Sequence, residues 1–142
     1  MTTGMMDLKQ PYSILLADRH EGFRREVRRV IEEEGGLKVV GEAGDGGQLF
    51  EILQETPPDL VILDIAIPNC RGLEATRRIK REFPRVKVLL LTMEQSPEYP
   101  AMAAQAGAEG CLLKLETGAR LTEAIEAIRR GGTFLPSWRT YR

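Results

Sequence analysis

Three observations predict an α/β fold, a parallel sheet doubly wound with helices on both faces. The run Asp59-Leu60-Val61-Ile62-Leu63-Asp64 is apolar without alternation, as in a strand buried on both sides. Strand-like and helix-like segments alternate five times with short connections, the order that lays strands parallel. Four of the five strands end in a polar group, Asp18, Asp64, Thr92 and Lys114. In a parallel sheet those ends share one edge, where open α/β sheets place their ligands.

The first strand reads as Ser13 to Asp18 and runs into Arg19-His20-Glu21-Gly22. In the helix that follows, Phe23, Val27, Val30 and Ile31 recur at helical spacing, and Gly35-Gly36 ends it. Leu37 to Ala43 is the second strand. Gly44-Asp45-Gly46-Gly47 turns the chain, with Asp45 placed to cap a short helix around Leu49, Ile52 and Leu53. Thr56-Pro57-Pro58 stops that helix before the Asp64 strand. Gly72 to Glu82 is the next helix, with four basic residues on its outer face, closed by Phe83-Pro84. Val86 to Thr92 is the fourth strand. Ser96-Pro97 has the form of a cap and a first helical proline, but Pro100 would then remove a helical bond. The fourth helix is therefore expected to start near Tyr99-Pro100 and to run to Ala106. Gly107 to Gly110 reads as a turn and Cys111 to Lys114 as the fifth strand. Thr117 to Arg130 is the last helix, with Leu121, Ile125 and Ile128 inward, and Gly131-Gly132 ends it.

A chain of 142 residues suits one domain. The expected division is a loose N-terminal arm over 1–11, a globular unit over 12–135, and a tail or start of a linker over 136–142, where Trp138 is expected to fray. Twenty basic and 21 acidic residues leave a net charge of -1, so no basic face for direct nucleic-acid binding is expected. Cys70 and Cys111 lie far apart, without the spacing of a disulfide framework or a zinc site. A reducing, cytoplasmic setting is expected, and no membrane partner, since no apolar run reaches spanning length.

The four strand ends form the candidate site. Two carboxylates, a hydroxyl and an ammonium on one edge can handle a small anion such as phosphate. Asp64 would attack phosphorus, because a carboxylate can hold an acyl phosphate. Lys114 would neutralise phosphoryl oxygens and the Thr92 hydroxyl would bond one of them. Asp18 would help to hold Mg²⁺, which takes carboxylate, carbonyl and water oxygens. Taken singly, Asp64 could merely end a strand, Lys114 could be a surface lysine and Thr92 an ordinary strand residue. The joint placement argues for chemistry.

These residues, in this order and spacing, resemble the receiver domain of two-component response regulators from about Tyr12 to Leu135. Val39-Val40-Gly41-Glu42-Ala43, Gly72-Leu73-Glu74-Ala75-Thr76-Arg77, Leu91-Thr92-Met93 and Arg130-Gly131-Gly132-Thr133 are similar to receivers of LuxR-type (NarL-like) regulators. The resemblance implies a flavodoxin-like sheet in the order 2-1-3-4-5, an order known for this family. It implies a signalling module rather than an enzyme, with Asp64 as phosphoacceptor, a histidine kinase or other signalling protein as partner, and a homodimer as a further expectation. It implies a metal set of Asp18, Asp64 and the Ala66 backbone carbonyl. It also suggests the regulatory part of a transcription regulator, although no helix-turn-helix is read after residue 135.

Three positions depart from the family pattern. The second acid expected after Asp18 is Arg19. Mg²⁺ binding and phosphorylation are therefore expected to be weak. Arg19 either pairs with Asp64 in place of the metal or points to solvent. Cys111 stands where an aromatic switch residue is common, and Pro100 alters the fourth helix. The alternative is a phosphorylation-independent pseudo-receiver that works by protein contacts. A phosphatase built on Asp64 is disfavoured, because no second acid follows closely.

Overall fold

The computed structural model describes residues 11–138, so residues 1–10 of the expected arm over 1–11 and residues 139–142 of the expected tail lie outside it. The chain runs β1 (Tyr12–Ala17), α1 (Glu21–Glu32), β2 (Leu37–Ala43), α2 (Gly46–Glu55), β3 (Leu60–Asp64), α3 (Gly72–Glu82), β4 (Lys87–Thr92), α4 (Glu98–Ala106), β5 (Gly110–Leu113), a 3₁₀ turn (Lys114–Glu116) and α5 (Thr117–Arg129). All pairings are parallel and the strand order is 2-1-3-4-5. The expected doubly wound architecture is thus the observed one.

The sheet is buried on both faces because alternate residues of each inner strand feed two separate cores. Leu15, Val61, Leu63, Val88 and Leu90 pack under α2, α3 and α4, with Leu53, Ile79 and Ala103. Ile14, Leu16, Leu60, Ile62, Leu89 and Leu91 pack under α1 and α5, with Val27, Ile31, Leu121 and Ile125. Every residue of β3 is buried, which is why its sequence shows no alternation. Truncating one of these leucines to alanine is expected to cost about 2–5 kcal/mol.

Local chemistry sets the element ends. Asp45 caps α2, its side chain accepting the Gln48 backbone N–H at 2.9 Å. Gly46 and Gly47, read as turn, are the first residues of that helix. Gly107 closes α4 in the left-handed region, at φ 96°. In the edge strand β2 the register slips between Ile14 and Leu15, which leaves Val40 bulged and exposed.

Three expectations need correction. Helix α4 begins at Glu98, ahead of Pro100. Pro100 is the third helical residue, where the backbone N–H has no intrahelical partner to lose. Strand β5 is Gly110–Leu113, with Gly110 inside it and Lys114 just beyond. A Cβ on Gly110 would stand 2.7 Å from Leu89 Cδ1, so this glycine serves close packing rather than a turn. Finally, the segment after α5 does not fray at once. Phe134 bridges to Gly110, its carbonyl accepting the Cys111 N–H at 2.9 Å, and Trp138 is buried in the core beneath α2, α3 and α4.

Candidate functional site

The register aligns the strand ends at one rim. Ala17 pairs with Leu63, Asp64 with Leu91, and Thr92 with Leu113. Asp18 therefore follows β1 level with Asp64 at the end of β3, with Thr92 one step further along β4 and Lys114 two steps further, just past β5. Asp18, Asp64 and Thr92 are all buried.

Asp64 is held from its own loop. Its Oδ1 accepts the Ala66 backbone N–H at 3.0 Å, and its carbonyl accepts from Ile67 at 3.1 Å. Gly72 then passes so close to the strand end that a Cβ there would lie 2.9 Å from the Asp64 carbonyl oxygen and 2.5 Å from Ile65 Cα. Only a residue without a side chain fits. Asp18 is fixed from two sides. Its Oδ1 accepts the His20 backbone N–H at 2.8 Å, while its own N–H donates to the Ala43 carbonyl at 2.9 Å.

The Lys114 ammonium joins the two carboxylates. It donates to Asp64 Oδ2 at 3.2 Å and makes an ion pair with Asp18 Oδ2. The Asp18 oxygen has no aligned hydrogen bond among the described residues, so that contact is ionic alone. The Phe23 ring lies 4.6 Å from the ammonium, a cation–π contact that helps to hold it in this dry setting. The Thr92 hydroxyl turns to its own loop, accepting the Glu94 N–H at 3.1 Å. The site opens into a cleft of ≈ 450 Å³ whose lining includes Arg19, His20, Asp64, Ala66 and Lys114.

Arg19 is exposed at this cleft, and no Arg19–Asp64 pair forms: the cation at Asp64 is Lys114. Of the two expectations for Arg19, pairing with Asp64 is the one corrected. His20 sits after β1 as the residue preceding α1; its backbone N–H donates to Asp18 Oδ1 at 2.8 Å and its ring Nδ1 lies 3.4 Å from the same oxygen. Cys111 is fully buried, and burial pushes its thiol up to about 12.

Sequence reasoning missed Arg24. Its Nη1 donates to the Asp18 carbonyl at 2.5 Å and its Nε to Glu42 Oε1 at 2.8 Å, while Arg28 holds the other Glu42 oxygen at 3.0 Å. This tie anchors the Asp18 loop to β2. The signal was an arginine pair at helical spacing opposite an acid in an edge strand.

The donor set tests the expected metal. Among the described residues no three His, Cys, Asp or Glu side chains converge as metal ligands. Lys114 occupies the space between the two carboxylates, and a guanidinium rather than a third acid lines the cleft.

The sequence matches the response regulator receiver domain over residues 14–126. It is 37% identical over 125 residues to response regulator UvrY of Escherichia coli, covering 88% of this chain and 57% of that protein. It is 34% identical over 122 residues to the transcriptional regulatory protein DegU of Brevibacillus brevis, covering 86% of this chain and 52% of that protein. The chain thus spans about half the length of these curated relatives. Among solved structures, a LuxR-family two-component response regulator from Aurantimonas superposes with a TM-score of 0.83 at 38% identity, covering 90% of this chain and 91% of that one. The isolated receiver domain of RcsB from Salmonella, determined with the phosphomimetic BeF3⁻, gives 0.83 at 27% identity, covering 89% and 94%.

Proposed function

This chain belongs to the response regulator receiver family, and on that premise we propose that Asp64 is its phosphoacceptor. A carboxylate oxygen of Asp64 bonds to the phosphorus of a kinase phosphohistidine as the phosphorus–nitrogen bond breaks, and the bonding pair leaves with the imidazole. Lys114 neutralises the phosphoryl oxygens, and the Thr92 hydroxyl turns from its own loop to bond one of them. The observation that carries this reading is the part-buried Lys114 ammonium seated on both Asp18 and Asp64 at the mouth of an open cleft. An activated carboxylate needs such a partner, and a structural one has no need of the cleft.

The receiver is atypical. Arg19 in place of an acid leaves Asp18, Asp64 and the Ala66 carbonyl as a weak Mg²⁺ set, and phosphorylation is correspondingly slow. Relatives named as response regulators and a transcriptional regulatory protein support a role as the regulatory part of a transcription factor, with a histidine kinase as partner. One RcsB structure contains dimers bound to DNA, which supports a second copy of this chain as a further partner. A second reading, an interaction module indifferent to phosphate, is favoured by the Lys114 ammonium already engaging both acids.

Incubation with a small acyl phosphate, followed by intact mass, separates the two readings. The native chain is expected to gain one phosphoryl group slowly and Asp64→Asn none. No gain on the native chain would leave only the interaction module. Arg19→Asp is expected to bind Mg²⁺ tightly, and unchanged weak binding would refute the account of the pocket.

A further inference from the structure

We propose that Arg19 supplies at this site the charge a divalent cation would supply, so that the Asp64 pocket binds a phosphoryl-shaped anion without metal. The proposal rests on the reading of Asp64 as acceptor.

Charge balance is the first ground. Asp18, Asp64 and Lys114 together carry a single net negative charge in the rim. A third acid at position 19 would deepen it to two, a deficit that a divalent ion fills. A guanidinium there differs from that acid by two positive units, the charge of the ion itself, and the four side chains cancel. A pocket already neutral gains little from Mg²⁺ and has two cations to offer an anion.

Placement is the second ground. Arg19 is exposed and lines the same cleft as Asp64, Ala66 and Lys114. The Asp64 carboxylate is taken by Lys114 and the Ala66 N–H. Among the described residues Arg19 forms no ion pair, although neighbouring arginines on α1 are tied to acids, as Arg24 and Arg28 are to Glu42. Its guanidinium therefore keeps its fork of donors available at the cleft. That fork suits two oxygens of one phosphoryl group, while Lys114 meets a third as a point charge. Donors already in place at the cleft bind such an anion without reorganisation.

The test uses beryllofluoride, a phosphoryl stand-in, with ¹⁹F NMR on the full 142-residue chain in buffer stripped of divalent metal over a chelating resin. The native chain is expected to show a bound resonance, and added Mg²⁺ to change the affinity by less than about twofold, as for a pocket already neutral. Arg19→Ala should bind at least about tenfold more weakly without metal, the loss typical of a charge-assisted contact. Arg19→Asp should bind only when Mg²⁺ is present. Arg19 is exposed, so both variants are expected to keep the native circular dichroism. A native signal that appears only with Mg²⁺, or an Arg19→Ala chain that binds as the native does, overturns the role of Arg19 and leaves Asp64 as acceptor. No signal under either condition overturns both.

Discussion

Among the described residues, the lysine–carboxylate clusters around Lys80 and Lys114 differ in what they leave unsatisfied. On one flank the Lys80 ammonium donates to Glu109 Oε2 at 2.7 Å and to the Val86 carbonyl at 3.0 Å, while Glu109 Oε1 accepts the Val88 N–H at 2.9 Å. Both Glu109 oxygens are bonded, and the group ties α3 to the entrances of β4 and β5. At the opposite ends of the strands, Lys114 serves two acids, and one Asp18 oxygen has ionic contact alone. The first cluster is closed and the second opens into a cleft. A closed cluster adds to stability; an open one, with a carboxylate oxygen left without a hydrogen bond beside a cleft, is placed for chemistry.

Replacing each lysine by methionine breaks the comparison most sharply. Lys114→Met is expected to lower phosphoryl uptake by about tenfold or more, read as the initial rate of mass gain, because an electrostatic donor at the reacting oxygen is lost. Lys80→Met should leave uptake unchanged and instead lower unfolding free energy by about 2 kcal/mol in a urea titration, less than a fully buried pair because both groups are partly exposed. Equal effects of the two substitutions on uptake would erase the distinction.

A smaller effect tests the backbone beneath the open cluster. Gly72→Ala drives a methyl group into Ile65 Cα and the Asp64 carbonyl, and is expected to cost about 1–3 kcal/mol, as overpacking does. Uptake should fall with it, whereas Gly118→Ala in α5, which meets nothing within 4 Å, should leave uptake unchanged and raise stability by about 0.4–1 kcal/mol. The smallest effect concerns the thiols. Burial raises both, and pushes Cys111 up to about 12, so at pH 8 its reactive thiolate is scarce. Iodoacetamide should therefore label the partly exposed Cys70 first, as peptide mapping would show. Earlier labelling of Cys111 would mean that β5 opens readily.

The sheet was legible because strands buried on both faces have a compositional signature, and the four polar ends were legible because parallel register carries them to one rim. The contacts within the rim were less so. The spacing gives the level of Lys114 but not its rotamer, and the seat between Asp18 and Asp64 goes to the chain that arrives from a buried position with the Phe23 ring beside it. Arg19, one residue beyond Asp18, is exposed at the cleft instead. Gly110 was misread because glycine signals both turn and close approach, and only the positions of Leu89 and Ile128 decide between them. Phe134 and Trp138 lie outside any periodic segment, so nothing local announced that one bridges to β5 and the other is buried.

The central claim, that the open cluster is the acceptor, is tested most directly by locating the phosphoryl group. After exposure to an acyl phosphate, borohydride reduction converts an aspartyl phosphate to homoserine, which tandem mass spectrometry places by residue. The account predicts homoserine at position 64 and an unmodified aspartate at position 18. Homoserine at 18, 45 or 59 instead of 64, or no homoserine at all, would contradict it.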